Sequence, residues 1–168
     1  METDLARIRE LGEQQWEENH RFRRFLKVRR HSDATLRHLA LKIEDQIDCR
    51  ACANCCRIVA TPVSERDIKR LSSFLRRSVK DVLASFTVED EDEGLILRRT
   101  DPAGCIFLDG NDCTVYDARP DTCQRFPHLV RGNGSLVSRM WQFIDRAVYC
   151  PIVYNSMEAF KESMGFRR

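Results

Sequence analysis

Cys49, Cys52, Cys55 and Cys56 follow one another as CxxCxxCC and account for half of the eight cysteines in this chain. Cys105, Cys113, Cys123 and Cys150 supply the rest. Two residues between thiols let a tight turn aim both sulfurs at one point, as a tetrahedral metal or an iron–sulfur cluster requires. Adjacent Cys55 and Cys56 tend to point apart, so that pair suits two centres, or one ligand and one structural thiol. All eight cysteines are candidate metal ligands. An even count also fits a disulfide framework. The opening stretch Met1-Glu2-Thr3-Asp4-Leu5-Ala6-Arg7 places acids where an export signal needs a basic start and an apolar core. A cytoplasmic, reducing setting is therefore expected, in which metal prevails over disulfides.

Zinc and iron–sulfur centres both accept thiolates, so ligand type alone does not choose between them. Cys49, Cys52 and Cys55 have the CxxCxxC spacing of a 4Fe–4S site, with Cys150, before Pro151, as a remote fourth ligand. Eight thiols also divide into two closed four-sulfur zinc cages. His128, close to Cys123, is the best non-cysteine ligand candidate, while His20, His31 and His38 read as ordinary polar residues. Tyr116, Asp117, Arg119 and Arg125 lie among the later cysteines. They are candidates to bind a substrate anion or to donate hydrogen bonds to cluster sulfurs, with Tyr116, Arg119 and Arg125 as the cofactor-binding set. The competing reading is an ion-pair and turn network that locks the ligand loop.

The elements that position these residues fit a mostly helical α+β protein. A length of 168 residues predicts a single domain, with residues 1–48 as a helical extension, 49–151 as the cysteine module and 152–168 as a C-terminal helix. The formal charge of +2 excludes a global attraction to nucleic acid or membrane, and no apolar run has the length of a membrane span. Leu5, Ile8, Leu11, Gln15/Trp16, Asn19, Phe22 and Leu26 draw one helical stripe. After a break at His31-Ser32-Asp33, Leu36, Leu39, Ile43 and Ile47 draw a second, giving a helical hairpin that delivers Cys49. The basic residues Arg21, Arg23, Arg24, Lys27, Arg29 and Arg30 read as a solvated helix face. Arg57 to Val63 is extended in character. Ser64-Glu65-Arg66-Asp67 is a capping box, repeated at Ser78-Val79-Lys80-Asp81, and Val79, Val82, Leu83 and Phe86 are expected to face inward.

Glu89 to Gly94 reads as an acidic loop, Leu95 to Arg99 as a strand, and Asp101 to Gly104 as a turn. Cys105 to Tyr116 predicts two short strands around an Asp-Gly turn, bringing Cys105 near Cys113. Arg131 to Ser135 predicts another hairpin turn. Leu136, Trp141, Phe143 and Ile144 are expected in the core, with a last helix over roughly residues 156–163.

CxxCxxCC, Cys105-Ile106-Phe107-Leu108, Cys113-Thr114-Val115-Tyr116 and Arg119-Pro120-Asp121-Thr122-Cys123 with Phe126-Pro127 together resemble the YkgJ-type cysteine-cluster family. The resemblance covers about residues 49–151 and implies a zinc- or iron-chelating domain, with a similar module in flagellin lysine N-methylases. It therefore implies metal ions as partners, a 4Fe–4S cluster or zinc as cofactor, and an iron–sulfur-dependent group-transfer enzyme as the alternative activity. A protein partner fits the reading in which metal serves folding. Ala53 and Gln124 depart from the family's usual glycine and arginine. No GxGxxG nucleotide loop occurs.

Overall fold

The computed structural model describes residues 1–100, 102 and 104–167. In chain order the helices are α1 (Leu5–Gln14), α2 (Trp16–Val28), α3 (Asp33–Glu44), α4 (Cys49–Cys52) and α5 (Asn54–Ile58). Next come α6 (Glu65–Leu75) and α7 (Val79–Phe86), then three two-stranded antiparallel sheets. These pair β1 (Thr87–Asp90) with β2 (Gly94–Leu97), β3 (Arg99–Thr100) with β4 (Gly104–Cys105), and β5 (Leu108–Asp109) with β6 (Asp112–Cys113). A 3-10 turn at Tyr116–Ala118 leads to α8 (Asp121–Arg125), α9 (Leu136–Arg146) and α10 (Pro151–Ser163). The expected mostly helical α+β class is what is found. Among the described residues, no helix is long and apolar enough to cross a membrane.

The chain divides into two compact units, Met1–Asp48 with Pro127–Arg168, and Cys49–Phe126. In the helical unit α3 and α1 lie on α10, and α9 lies on α2. Ile8, Phe22, Leu26, Leu36, Phe143 and Phe160 are fully buried there. Each such side chain contributes about 1.5–3 kcal/mol of transfer free energy. The first stripe is split by a step at Gln15, whose near-zero ψ of 6° separates α1 from α2. Ser32 caps α3, its Oγ accepting from Thr35 N at 3.3 Å.

Two expectations fail in this unit. Residues 131–135 form no hairpin, because no strand flanks them. Arg37 instead donates to the carbonyls of Val130, Gly132 and Gly134 at 2.8, 3.2 and 3.0 Å, and the segment runs into α9. Trp141 is 50% exposed, since Met140, Phe143 and Ile144 fill the buried face of α9. The last helix also starts earlier than expected, at Pro151, whose ring suits the first helical turn.

In the thiol unit, Ile68, Leu71, Val82, Leu97, Phe107, Val115 and Ala118 form one core. Both capping sequences act as expected, Ser64 and Asp67 completing a full box and Ser78 Oγ accepting from Asp81 N at 3.1 Å. Val82 faces inward, but Val79 and Leu83 are 42% and 37% exposed. The acidic run is not all loop: Glu89 and Asp90 pair with Leu95 and Gly94, and the Asp90 carboxylate caps the turn by accepting from Asp92 N and Glu93 N. Thr61 to Val63 runs beside β2, with Leu97 N donating to Thr61 O and Val63 N to Leu95 O, both at 2.9 Å. In the predicted turn at residues 101–104, Asp101 and Ala103 lie outside the described residues.

Candidate metal centre

The CxxCxxCC stretch folds as two short helices rather than an open loop. Cys49 and Cys52 are three apart on α4, which puts their side chains on one face. Ala53 then takes the left-handed conformation at φ 47° and reverses the chain into α5, which carries Cys55 and Cys56. A Cβ in that conformation costs about 1–2 kcal/mol.

Three devices hold the later cysteines against this stretch. Gly104, at φ 97°, lets β4 meet α5 backbone to backbone, since a Cβ there would lie 2.6 Å from both Cys56 O and Arg57 Cα. Cys105 is thereby set beside Cys56. The β5–β6 turn is tied to α4 and α5 by Asn111 Nδ2 donating to Ala51 O at 2.8 Å, Arg57 Nη2 to Gly110 O at 2.7 Å, and an Arg50–Asp112 ion pair at 2.7 Å. The loop before Cys123 is fixed by buried Asp67, which accepts from Asp121 N at 3.0 Å and pairs with Arg70. Arg70 in turn donates to Arg119 O at 2.6 Å.

The thiol electrostatics follow from this packing. Burial pushes Cys123 up to about 12; the fields of Cys56, Cys105 and Cys113 add to it, and a hydrogen bond with Thr61 opposes it. Burial likewise raises Cys105, with Cys56 and Cys113 adding, and raises Cys113, with Cys56 adding. Cys56 is lowered to about 7, first by its hydrogen bond with Cys55 and then, against burial, by Arg57 and Arg119. Four thiols from α5, β4, β6 and α8 therefore act on one another. They do not form a closed cage: among the described residues no three His, Cys, Asp or Glu side chains are gathered closely enough to hold an ion. The eight cysteines stand as thiols, with no disulfide among the described residues. Half-buried thiols that repel one another once ionised suit a cation, which relieves every thiolate at once and is bound with loss of their protons.

The other candidates separate. Cys49 is exposed and Cys52 half-buried on α4, while Cys55 acts through its hydrogen bond to Cys56. Cys150 is the buried residue before α10, in the helical unit. His128 belongs to that unit too, at φ 69°, its carbonyl accepting from Arg139 Nη1 at 2.6 Å. Arg119 lies 3.3 Å from the Tyr116 ring centroid, whereas Arg125 pairs with Asp121 at 3.1 Å. Asp117 is exposed on the 3-10 turn. Sequence reasoning missed Arg50, Arg57 and Thr61; the only signal for the two arginines was their position inside and directly after the cysteine run.

A family model described as "CxxCxxCC: Putative zinc- or iron-chelating domain" matches residues 48–151, a span that holds all eight cysteines. That is more than half of the chain, and the chain belongs to this metal-chelating family. No curated protein and no solved structure matches it significantly.

Proposed function

We propose that this member of the CxxCxxCC family binds a metal ion through the thiolates of Cys56, Cys105, Cys113 and Cys123, and that the ion fastens the thiol unit together. The observation that carries the reading is the packing that brings four separate thiol-bearing elements together. Gly104 lays β4 against α5, Asn111 and Arg57 tie the β5–β6 turn to α4 and α5, and Asp67 fixes the loop before Cys123. Elements of two to five residues have little stability of their own, so a closed four-sulfur centre adds its binding energy directly to folding. Tetrahedral zinc, or a single iron, matches four thiolates.

A second reading adds a separate centre on Cys49, Cys52 and Cys55. It is supported by α4, whose single turn puts Cys49 and Cys52 on one face, and by the CxxCxxC spacing of 4Fe–4S sites. Anaerobic purification with elemental analysis and an absorbance spectrum tests both. Bound zinc without visible bands supports the four-thiolate centre alone. Iron and sulfide in stoichiometric amounts, with charge-transfer bands, support the cluster reading. Protein that takes up neither metal, with all its thiols open to alkylation, overturns the proposal. A centre closed by four protein thiolates is structural, so no binding of S-adenosylmethionine is expected.

A further inference from the structure

We propose that the outer face of α2, in the helical unit, binds the phosphate backbone of a single-stranded nucleic acid, independently of the metal centre. Between His20 and His31 the chain carries five arginines, one lysine and no acid. The whole protein is only +2, so this charge is local rather than general. On α2 the residues fall into two neighbouring stripes: Trp16, His20, Arg23 and Lys27 beside Glu17, Arg21, Arg24 and Val28. Phe22 and Leu26, on the opposite side, are fully buried. Arg29 and Arg30 continue the charge past the helix end, and all six cations except the half-buried Arg23 are exposed.

These cations have no carboxylate partners. Among the described residues none of Arg21, Arg23, Arg24, Lys27, Arg29 and Arg30 is ion-paired, although Glu17 stands one turn before Arg21. Elsewhere in the same unit Arg7 pairs with Glu10, Arg9 with Glu13, Arg131 with Glu44, and Lys161 with Glu18 and Glu158. The dipole of α2 calls for cations only in its last turn, where Lys27 stands. Arg21, Arg23 and Arg24 precede that turn, and like charges four apart, as at Arg23 and Lys27, repel. A polyanion relieves the repulsion.

Three observations choose the polyanion. Five of the six cations are arginine, whose planar fork matches phosphate. The apolar side of α2 already lies in the protein core, so no apolar face is left to enter a bilayer. Trp16, 37% exposed, ends the cationic stripe with its ring set edge-on to His20 and offers a surface on which a base stacks. Bases in a duplex are held in their own stack, which favours a single strand.

The test is fluorescence anisotropy of a labelled oligothymidylate, titrated with the full chain at several salt concentrations. Binding at low salt is expected, with log affinity falling against log salt at a slope of about −3, as roughly four phosphate contacts give on a single strand. Replacing Arg24 and Lys27 together by glutamine should flatten the slope by about 1.4. Trp16→Leu should weaken binding about 5–100-fold and leave the slope unchanged. Arg7→Gln with Arg9→Gln, on α1, is the control and should bind as the parent does, and circular dichroism should show parental helix content in every variant. In a Trp141→Phe chain Trp16 is the only tryptophan, and its emission should be quenched on binding. No binding at low salt, a slope near zero, an equal loss from the α1 pair, or equal affinity for a duplex overturns the inference. So does tighter binding to phosphatidylserine vesicles or to polyglutamate than to the oligonucleotide, which gives the face to a membrane or to an acidic protein instead.

Discussion

Gly104→Ala tests the contact on which the thiol arrangement depends. The residue sits at φ 97°, and an added Cβ would meet the α5 backbone at 2.6 Å on two atoms, neither of which can rotate away. The left-handed conformation costs alanine about 1–2 kcal/mol. Moving packed backbone aside costs a further ~1–3 kcal/mol. The sum, about 2–5 kcal/mol, is a large share of the 5–15 kcal/mol that usually holds a domain together. Relief of the clash separates β4 from α5, and so Cys105 from Cys56, which predicts weaker metal binding as well as lower stability. Gly110→Ala is the internal control: φ is 59°, yet nothing lies within 4 Å of the added carbon. It should lose only about 1–2 kcal/mol. Urea denaturation and chelator competition on both variants give the comparison. Two variants equal within about 0.5 kcal/mol, the ordinary spread of surface substitutions, refute the close-approach argument.

Three further outcomes are expected. Ala53→Gly relieves a left-handed alanine and should raise stability by about 0.5–1 kcal/mol in thermal or urea unfolding; a loss of stability contradicts the strain assigned to that turn. Asp67 bears a burial penalty that favours its neutral form, but hydrogen bonds from Ser64 and Asp121 and the charge of Arg70 outweigh it and hold its pKa below the usual value. Its stabilisation is thus complete above about pH 4 and disappears as pH falls through the lowered value. Asp67→Asn should cost about 3 kcal/mol at pH 7 and flatten the acid limb of a stability–pH curve, whereas an unchanged limb places the acid sensitivity elsewhere. Removing metal with a chelator should strip hydrogen-exchange protection from residues 49–126 while α1, α2, α3, α9 and α10 keep theirs, because the helical unit has its own apolar core. Uniform loss in both units argues against a local role for the ion.

What could be read from the sequence was what local chemistry decides. Ser64-Glu65-Arg66-Asp67 announces its helix because cap and carboxylate satisfy each other within four residues. The paired stripes of the first 48 residues announce a helical start for the same local reason. Trp141 was misplaced because hydrophobicity alone does not tell which face of α9 is covered, and Met140 occupies the buried side. In place of the hairpin expected at residues 131–135, Arg37 on α3 satisfies the carbonyls of Gly132 and Gly134 from 95 and 97 positions earlier in the chain. The cysteine spacing pointed to metal but could not sort the thiols. Sorting them requires Gly104 against Cys56 and Asp67 against Asp121, contacts between residues 48 and 54 positions apart. Turn propensity brought Cys105 and Cys113 onto one predicted hairpin, whereas they lie on β4 and β6 of separate sheets.

X-ray absorption at the metal edge, on the parent protein and on serine variants of single cysteines, measures the proposed centre directly. Four sulfur neighbours at about 2.3 Å are expected for bound zinc. Replacing Cys56, Cys105, Cys113 or Cys123 should leave three sulfurs or abolish binding. A centre that keeps all four sulfurs in those variants, or a parent protein whose metal has no sulfur neighbours, contradicts the account.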